Sequence, residues 1–186
     1  MRPSLRLIIL AVGTAVFVTA CGASDEPVAD PPTSTDSMSD MADMNMGNAD
    51  ATPAEEVAGA DLKTAAFELL STRPEGHDDT SGTAGIARSS AGTTLTLRLT
   101  GLQPGSEYIA HLHEGTCSEN GGAHYKFDPA GGDDPPNEIH LGFTAGEDGS
   151  GFMTAENAMV AGSEGRSVVV HPVDLLDNKL ACAQFS

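Results

Sequence analysis

Three histidines and a cysteine crowd the stretch from Tyr108 to Tyr125. Tyr108-Ile109-Ala110-His111-Leu112-His113 alternates like a strand, so His111 and His113 project from one face, roughly 6–7 Å apart. Two imidazoles on a rigid strand can hold one metal ion. After Glu114-Gly115-Thr116-Cys117, the run Gly121-Gly122-Ala123 leads to His124, and a glycine-rich loop can fold a third imidazole back onto the pair. The competing reading is scattered polar residues on a solvated strand. The H-x-H spacing with a third histidine nearby favours the metal site.

Short strands must position these residues. The chain has 186 residues, no Trp, few aromatics and 21 Gly, a composition that fits a β-rich, turn-rich domain better than a helix bundle. Strands are expected over Leu62–Ser71, Thr80–Ala87, Thr93–Thr100, Tyr108–His113, Ile139–Ala145, Gly151–Thr154, Ser167–His171 and Lys179–Phe185. Thr93–Thr100 alternates cleanly, which turns Leu95, Leu97 and Leu99 to the core. Gly101-Leu102-Gln103-Pro104-Gly105 is the turn leading into the histidine strand. Seven or eight short strands with such turns indicate an antiparallel Greek-key β-sandwich or barrel.

The domain is expected to span residues 62–186, with two segments before it. Residues 1–21 read as a signal: Arg2 and Arg6, then an apolar run from Leu7 to Val18 that is too short to span a membrane as a helix. Val18-Thr19-Ala20-Cys21 resembles a bacterial lipobox, whose cysteine becomes the lipidated first residue. The expected location is therefore outside the bacterial cytoplasmic membrane, anchored by lipid at Cys21 and facing a periplasm or the cell surface. With Cys21 lipidated, Cys117 and Cys182 remain as an even pair, and an oxidising compartment should join them. Residues 22–61 are acidic, hold no Lys or Arg and show no apolar periodicity, so they are expected to be a disordered tether. Within it, Met38, Met41, Met44 and Met46 offer soft thioether sulfur, a possible Cu(I)-capturing cluster. The net charge of −18 excludes nucleic-acid binding and electrostatic docking to anionic lipid. The sequence sets no oligomeric state.

Together, His111-Leu112-His113-Glu114-Gly115-Thr116-Cys117, Gly122-Ala123-His124-Tyr125 with Asp128-Pro129, Val168-Val169-Val170-His171 and Lys179-Leu180-Ala181-Cys182 resemble the copper/zinc superoxide dismutase family, in the family's order. The resemblance covers the whole expected domain and implies a Greek-key sandwich. It implies that His111, His113, His124 and His171 ligate copper, and it also pairs Cys117 with Cys182. Zinc is not expected: Ile139–Gly146 holds no Asp where the family has one, and His140 would be at most a remnant of the zinc site. Glu138 reads foremost as a solvated loop carboxylate; the alternative is that it bonds the far nitrogen of His124 and takes over part of zinc's orienting role. The loop from Pro172 to Asn178 is short, like that of a copper-only branch. Lys179 stands where the family has an anion-guiding Arg, keeping the charge and losing the planar fork.

The expected reaction is copper-dependent disproportionation of superoxide to dioxygen and hydrogen peroxide. In it Lys179 attracts the anion, and His124 gains and donates a proton. The alternative is a non-catalytic copper-binding or copper-buffering lipoprotein on the same fold. The Met cluster, the missing zinc ligand and Lys179 favour that alternative. His77 matches no motif and is given no role.

Overall fold

The protein is described by a computed structural model covering residues 44–186. The signal, Cys21, Met38 and Met41 lie outside the described residues. Eight strands follow in order: β1 (Asp61–Leu69), β2 (Ser81–Ser89), β3 (Gly92–Thr100), β4 (Glu107–His113), β5 (His140–Thr144), β6 (Gly151–Asn157), β7 (Ser167–Pro172) and β8 (Ala181–Gln184). They form one sheet in the order β5-β4-β7-β8-β1-β2-β3-β6, every neighbour antiparallel. The end strands β5 and β6 lie against each other, so the sheet is a nearly closed Greek-key β-barrel. The expected strands are all present, with ends shifted by a few residues.

The core fills the barrel with Leu95, Leu97 and Leu99 of β3, Tyr108, Ala110 and Leu112 of β4, and Val168 and Val170 of β7. The turn before β4 needs its glycine. Gly101 has φ +72°, and a Cβ there would stand 2.2 Å from the Asp79 carbonyl oxygen.

Two expectations are corrected at the N-terminal side. The segment before Leu62 is not a disordered tether throughout, because residues 44–60 pack on the barrel. Gly142 N donates to Met46 O at 2.8 Å and Asn48 N to Thr154 O at 2.7 Å. The segment therefore joins β5 to β6 across the barrel seam and covers strand edges that would otherwise stand open. Further along, Ala54 is 1 % exposed, and its N–H donates to Thr96 Oγ1 at 2.9 Å. This cover also buries Thr94 and Thr96 on the alternate face of β3, which alternation alone would leave to solvent. Composition missed the segment because backbone groups and one small side chain hold it, with no apolar periodicity. Met44 and Met46 are half-buried in it. The second correction concerns His77. It is buried, its Nε2 lies 3.0 Å from the Tyr108 hydroxyl, and Tyr108 in turn accepts from Gln103 N. His77 is thus a satisfied core histidine that locks the turn ahead of β4.

Candidate metal centre

The histidines lie on the outer face of the barrel wall. Along β4 the residues facing inward are Tyr108, Ala110 and Leu112, so Ile109, His111 and His113 face outward. The β4–β7 register sets Ile109 opposite His171, His111 opposite Val169 and His113 opposite Ser167. Residues opposite each other in antiparallel strands share a face, which puts His171 beside the β4 pair. β5 adds His140 opposite His111 on that same face.

His124 arrives by the loop. Glu114 N donates to Ala123 O, Tyr125 N to Leu112 O, and His113 pairs with His124 as an isolated bridge. The return is tight. Gly121 sits at φ +77°, and a Cβ there would come within 2.4 Å of Val169 and 3.1 Å of the His113 ring. The disulfide Cys117–Cys182 pins the same loop to β8, the pairing expected from the cysteine count.

One nitrogen from each of His111, His113, His124 and His171 lies within 4.8 Å of the other three. His111 Nδ1, His113 Nε2 and His171 Nε2 are buried and have no hydrogen-bond partner among the described residues. Unpaired buried acceptors are destabilising unless something satisfies them. Here three converge on one point, and a metal ion is the group that fits them. The opposite ring nitrogens are held: His113 Nδ1 donates to Gly122 O at 3.2 Å and His171 Nδ1 to Leu176 O at 2.8 Å. Such bonds fix the tautomer and leave the inward nitrogen as a lone pair. Burial lowers the pKa of His113 to about 3, and burial likewise depresses His111 well below the usual 6.5 and His171 below it. All three are neutral imidazoles at pH 7, the form that ligates metal.

Glu138 is not a solvated loop carboxylate. It is 2 % exposed, and its Oε2 accepts from His124 Nδ1 at 2.8 Å and from His140 Nε2 at 3.0 Å. Asn137 prepares it by tying the preceding loop: its amide donates to Asp128 O and Gly132 O, and its Oδ1 accepts from Asp128 N. The spacing Glu138-Ile139-His140 was the available signal, since residues two apart on extended chain share a face. His140 stands beside the four-histidine group, edge-on to His111 with ring centroids 4.5 Å apart. Lys179 Nζ donates to Asn120 O at 2.7 Å and Gly122 O at 3.3 Å, so its ammonium sits against the loop that carries His124.

An antiparallel Greek-key barrel of eight strands with this topology is a barrel of the copper/zinc superoxide dismutase type. Among solved structures, the chain is similar to the "Cu/Zn superoxide dismutase from Brucella abortus", with a TM-score of 0.51 and 18 % identity over 68 % of this chain and 100 % of that one. That likeness shows the fold. The chain matches no protein-family model and no curated protein.

Proposed function

We propose that this protein is an exported, copper-dependent superoxide dismutase. The convergence of four imidazole nitrogens within 4.8 Å, three of them buried and otherwise unpaired, carries the reading. An all-nitrogen imidazole set suits copper, and the fold likeness supports the same assignment. His111, His113, His124 and His171 would hold the ion. Copper supplies a one-electron couple, by which one superoxide loses an electron to become dioxygen and a second gains an electron and two protons to become hydrogen peroxide.

The chain's own residues do the rest. Glu138 keeps the His124 proton on Nδ1 and so leaves Nε2 facing the centre; in this reading Nε2 is where a proton is taken up and passed to the product. Lys179 supplies positive charge in an otherwise acidic protein and draws the substrate anion inward. Delivery by the apolar run Leu7–Val18 and anchoring through Cys21 complete the proposal. Met38, Met41, Met44 and Met46 would collect Cu(I).

Superoxide decay followed by pulse radiolysis tests this. The copper-loaded protein should accelerate decay, and a His113→Ala/His171→Ala variant should not. Equal decay in both would overturn the reading. A second reading, copper buffering without turnover, draws on the two carbonyls that already engage Lys179. Tight copper binding with decay no faster than the variant would favour it.

A further inference from the structure

Three of the four clustered histidines are secured independently of one another. His113 is held by Gly122 O, His171 by Leu176 O, and His111 is enclosed in the β4–β5–β7 sheet. His124 differs. It is only half-buried, it sits on a loop, and the side-chain hydrogen bond that orients it runs to Glu138. What orients Glu138 therefore decides where His124 Nε2 points.

Two donors meet on Glu138 Oε2, the His124 Nδ1–H and the His140 Nε2–H, while Oε1 is buried without a partner among the described residues. Removing His140 would leave the carboxylate with a single side-chain donor, and that donor is the ring it is meant to hold. Glu138 and His124 could then turn together. His140 cannot turn with them, because it begins β5, pairs with His111 across the β4–β5 ladder and packs its ring edge-on against the His111 ring. It is the rigid end of the chain His140–Glu138–His124.

We propose that His140 is a positioning residue: from β5 it fixes Glu138, and through Glu138 it fixes the one histidine of the cluster that the barrel wall does not hold. The inference rests on the metal-centre reading, since its purpose is to aim His124 Nε2 at the other three nitrogens. His140 acts through Glu138: it stands outside the four histidines whose nitrogens lie within 4.8 Å of one another, although its Nδ1 is buried without a partner among the described residues.

The test uses the full-length protein and two substitutions. His140→Phe keeps a planar ring and removes the donor. His140→Gln keeps an N–H donor directed at Glu138. Cu(II) affinity is measured by chelator competition, and the Cu(II) electron paramagnetic resonance spectrum is recorded. In the metal-free protein, nitrogen-15 NMR follows the His124 Nδ1 proton. His140→Phe should weaken Cu(II) affinity about tenfold, the low end for loss of a residue that orients a ligand. It should also change the spectrum and expose the His124 proton to fast solvent exchange, and His140→Gln should restore all three. Unchanged affinity, spectrum and exchange in His140→Phe would overturn the inference, as would failure of the Gln variant to restore them. Should the Phe variant not fold, His140→Asn, too short to reach Glu138, takes its place with the same expectations. Should the wild-type protein take up no stoichiometric copper, the proposed function fails, and the metal-free NMR still decides the link: a His124 proton lost only without the donor upholds it, and an unaltered one overturns it.

Discussion

Lys179 Nζ and His113 Nδ1 donate to the same oxygen, the carbonyl of Gly122, at 3.3 and 3.2 Å. One backbone group thus fixes the tautomer of a buried ligand and stations a cation beside it. The nearness is felt electrostatically, for the Lys179 charge helps to depress His113, after burial and His124. Lys179→Gln keeps a donor for the loop carbonyls and removes the charge. It should slow copper-dependent superoxide decay about tenfold at low ionic strength, the lower range for lost steering. The gap should narrow as salt is raised, since screening weakens the wild-type advantage. Pulse radiolysis across a salt series checks both; equal rates at low salt would remove Lys179 from the function.

Acid should destabilise the metal-free protein in a defined window. Burial holds His113 at about 3 and depresses His111 and His171 below 6.5. The unfolded chain therefore binds protons at these sites before the folded one does. Their contribution to stability is complete above about pH 6.5 and is lost as pH falls from there toward 3. Carboxylates titrate across part of this range, so the useful quantity is a difference. Urea midpoints of wild type and His113→Gln should diverge in pH dependence, with the wild type falling more steeply between pH 6.5 and 4. Parallel curves would contradict the depressed His113.

The disulfide serves stability and the site together. Cys117 and Cys182 are 65 residues apart in sequence, and closing a loop of that length stabilises by roughly 4 kcal/mol on the chain-entropy model. Cys117 also opens the turn whose return delivers His124, and its N–H donates to Gln184 Oε1. A Cys117→Ser/Cys182→Ser variant should lose stability of that order in urea denaturation and bind copper less tightly. An unchanged urea midpoint would show that packing alone holds the loop.

What could be read from the sequence follows what repeats along a strand. Period-two alternation is carried by side chains, so β3, β4 and the outward pair His111 and His113 were legible. His171 and the cysteine pair came from ordered motifs. Glu138 bonded to His124 was legible only as the less favoured alternative, because whether a loop carboxylate is solvated depends on contacts far away in sequence, here His124 and the Asn137 clasp. Residues 44–60 were hidden for a related reason. Their attachment runs through backbone N–H and C=O groups, which every residue carries and no composition reveals.

The attachment of residues 44–60 can be measured at Thr96. Thr96 Oγ1 accepts from Ala54 N and lies 2.9 Å from Thr154 Oγ1, so it links the N-terminal segment to the β3–β6 pair. Thr96→Val keeps the shape and removes the acceptor, leaving the buried Ala54 N–H unsatisfied. That should cost roughly 1–3 kcal/mol. The same substitution in a chain beginning at Leu62 has no Ala54 N–H to strand and should cost less. The Leu62 chain should itself melt below one beginning at Met44, because it loses the bonds from Gly142 N to Met46 O and from Asn48 N to Thr154 O that close the β5–β6 seam. Comparing the four proteins by urea denaturation isolates the coupling between Thr96 and the segment. An equal cost of Thr96→Val in both backgrounds would mean that the Ala54–Thr96 bond does not couple the segment to the barrel, and equal midpoints for the Leu62 and Met44 chains would mean that the domain begins in energetic terms at β1.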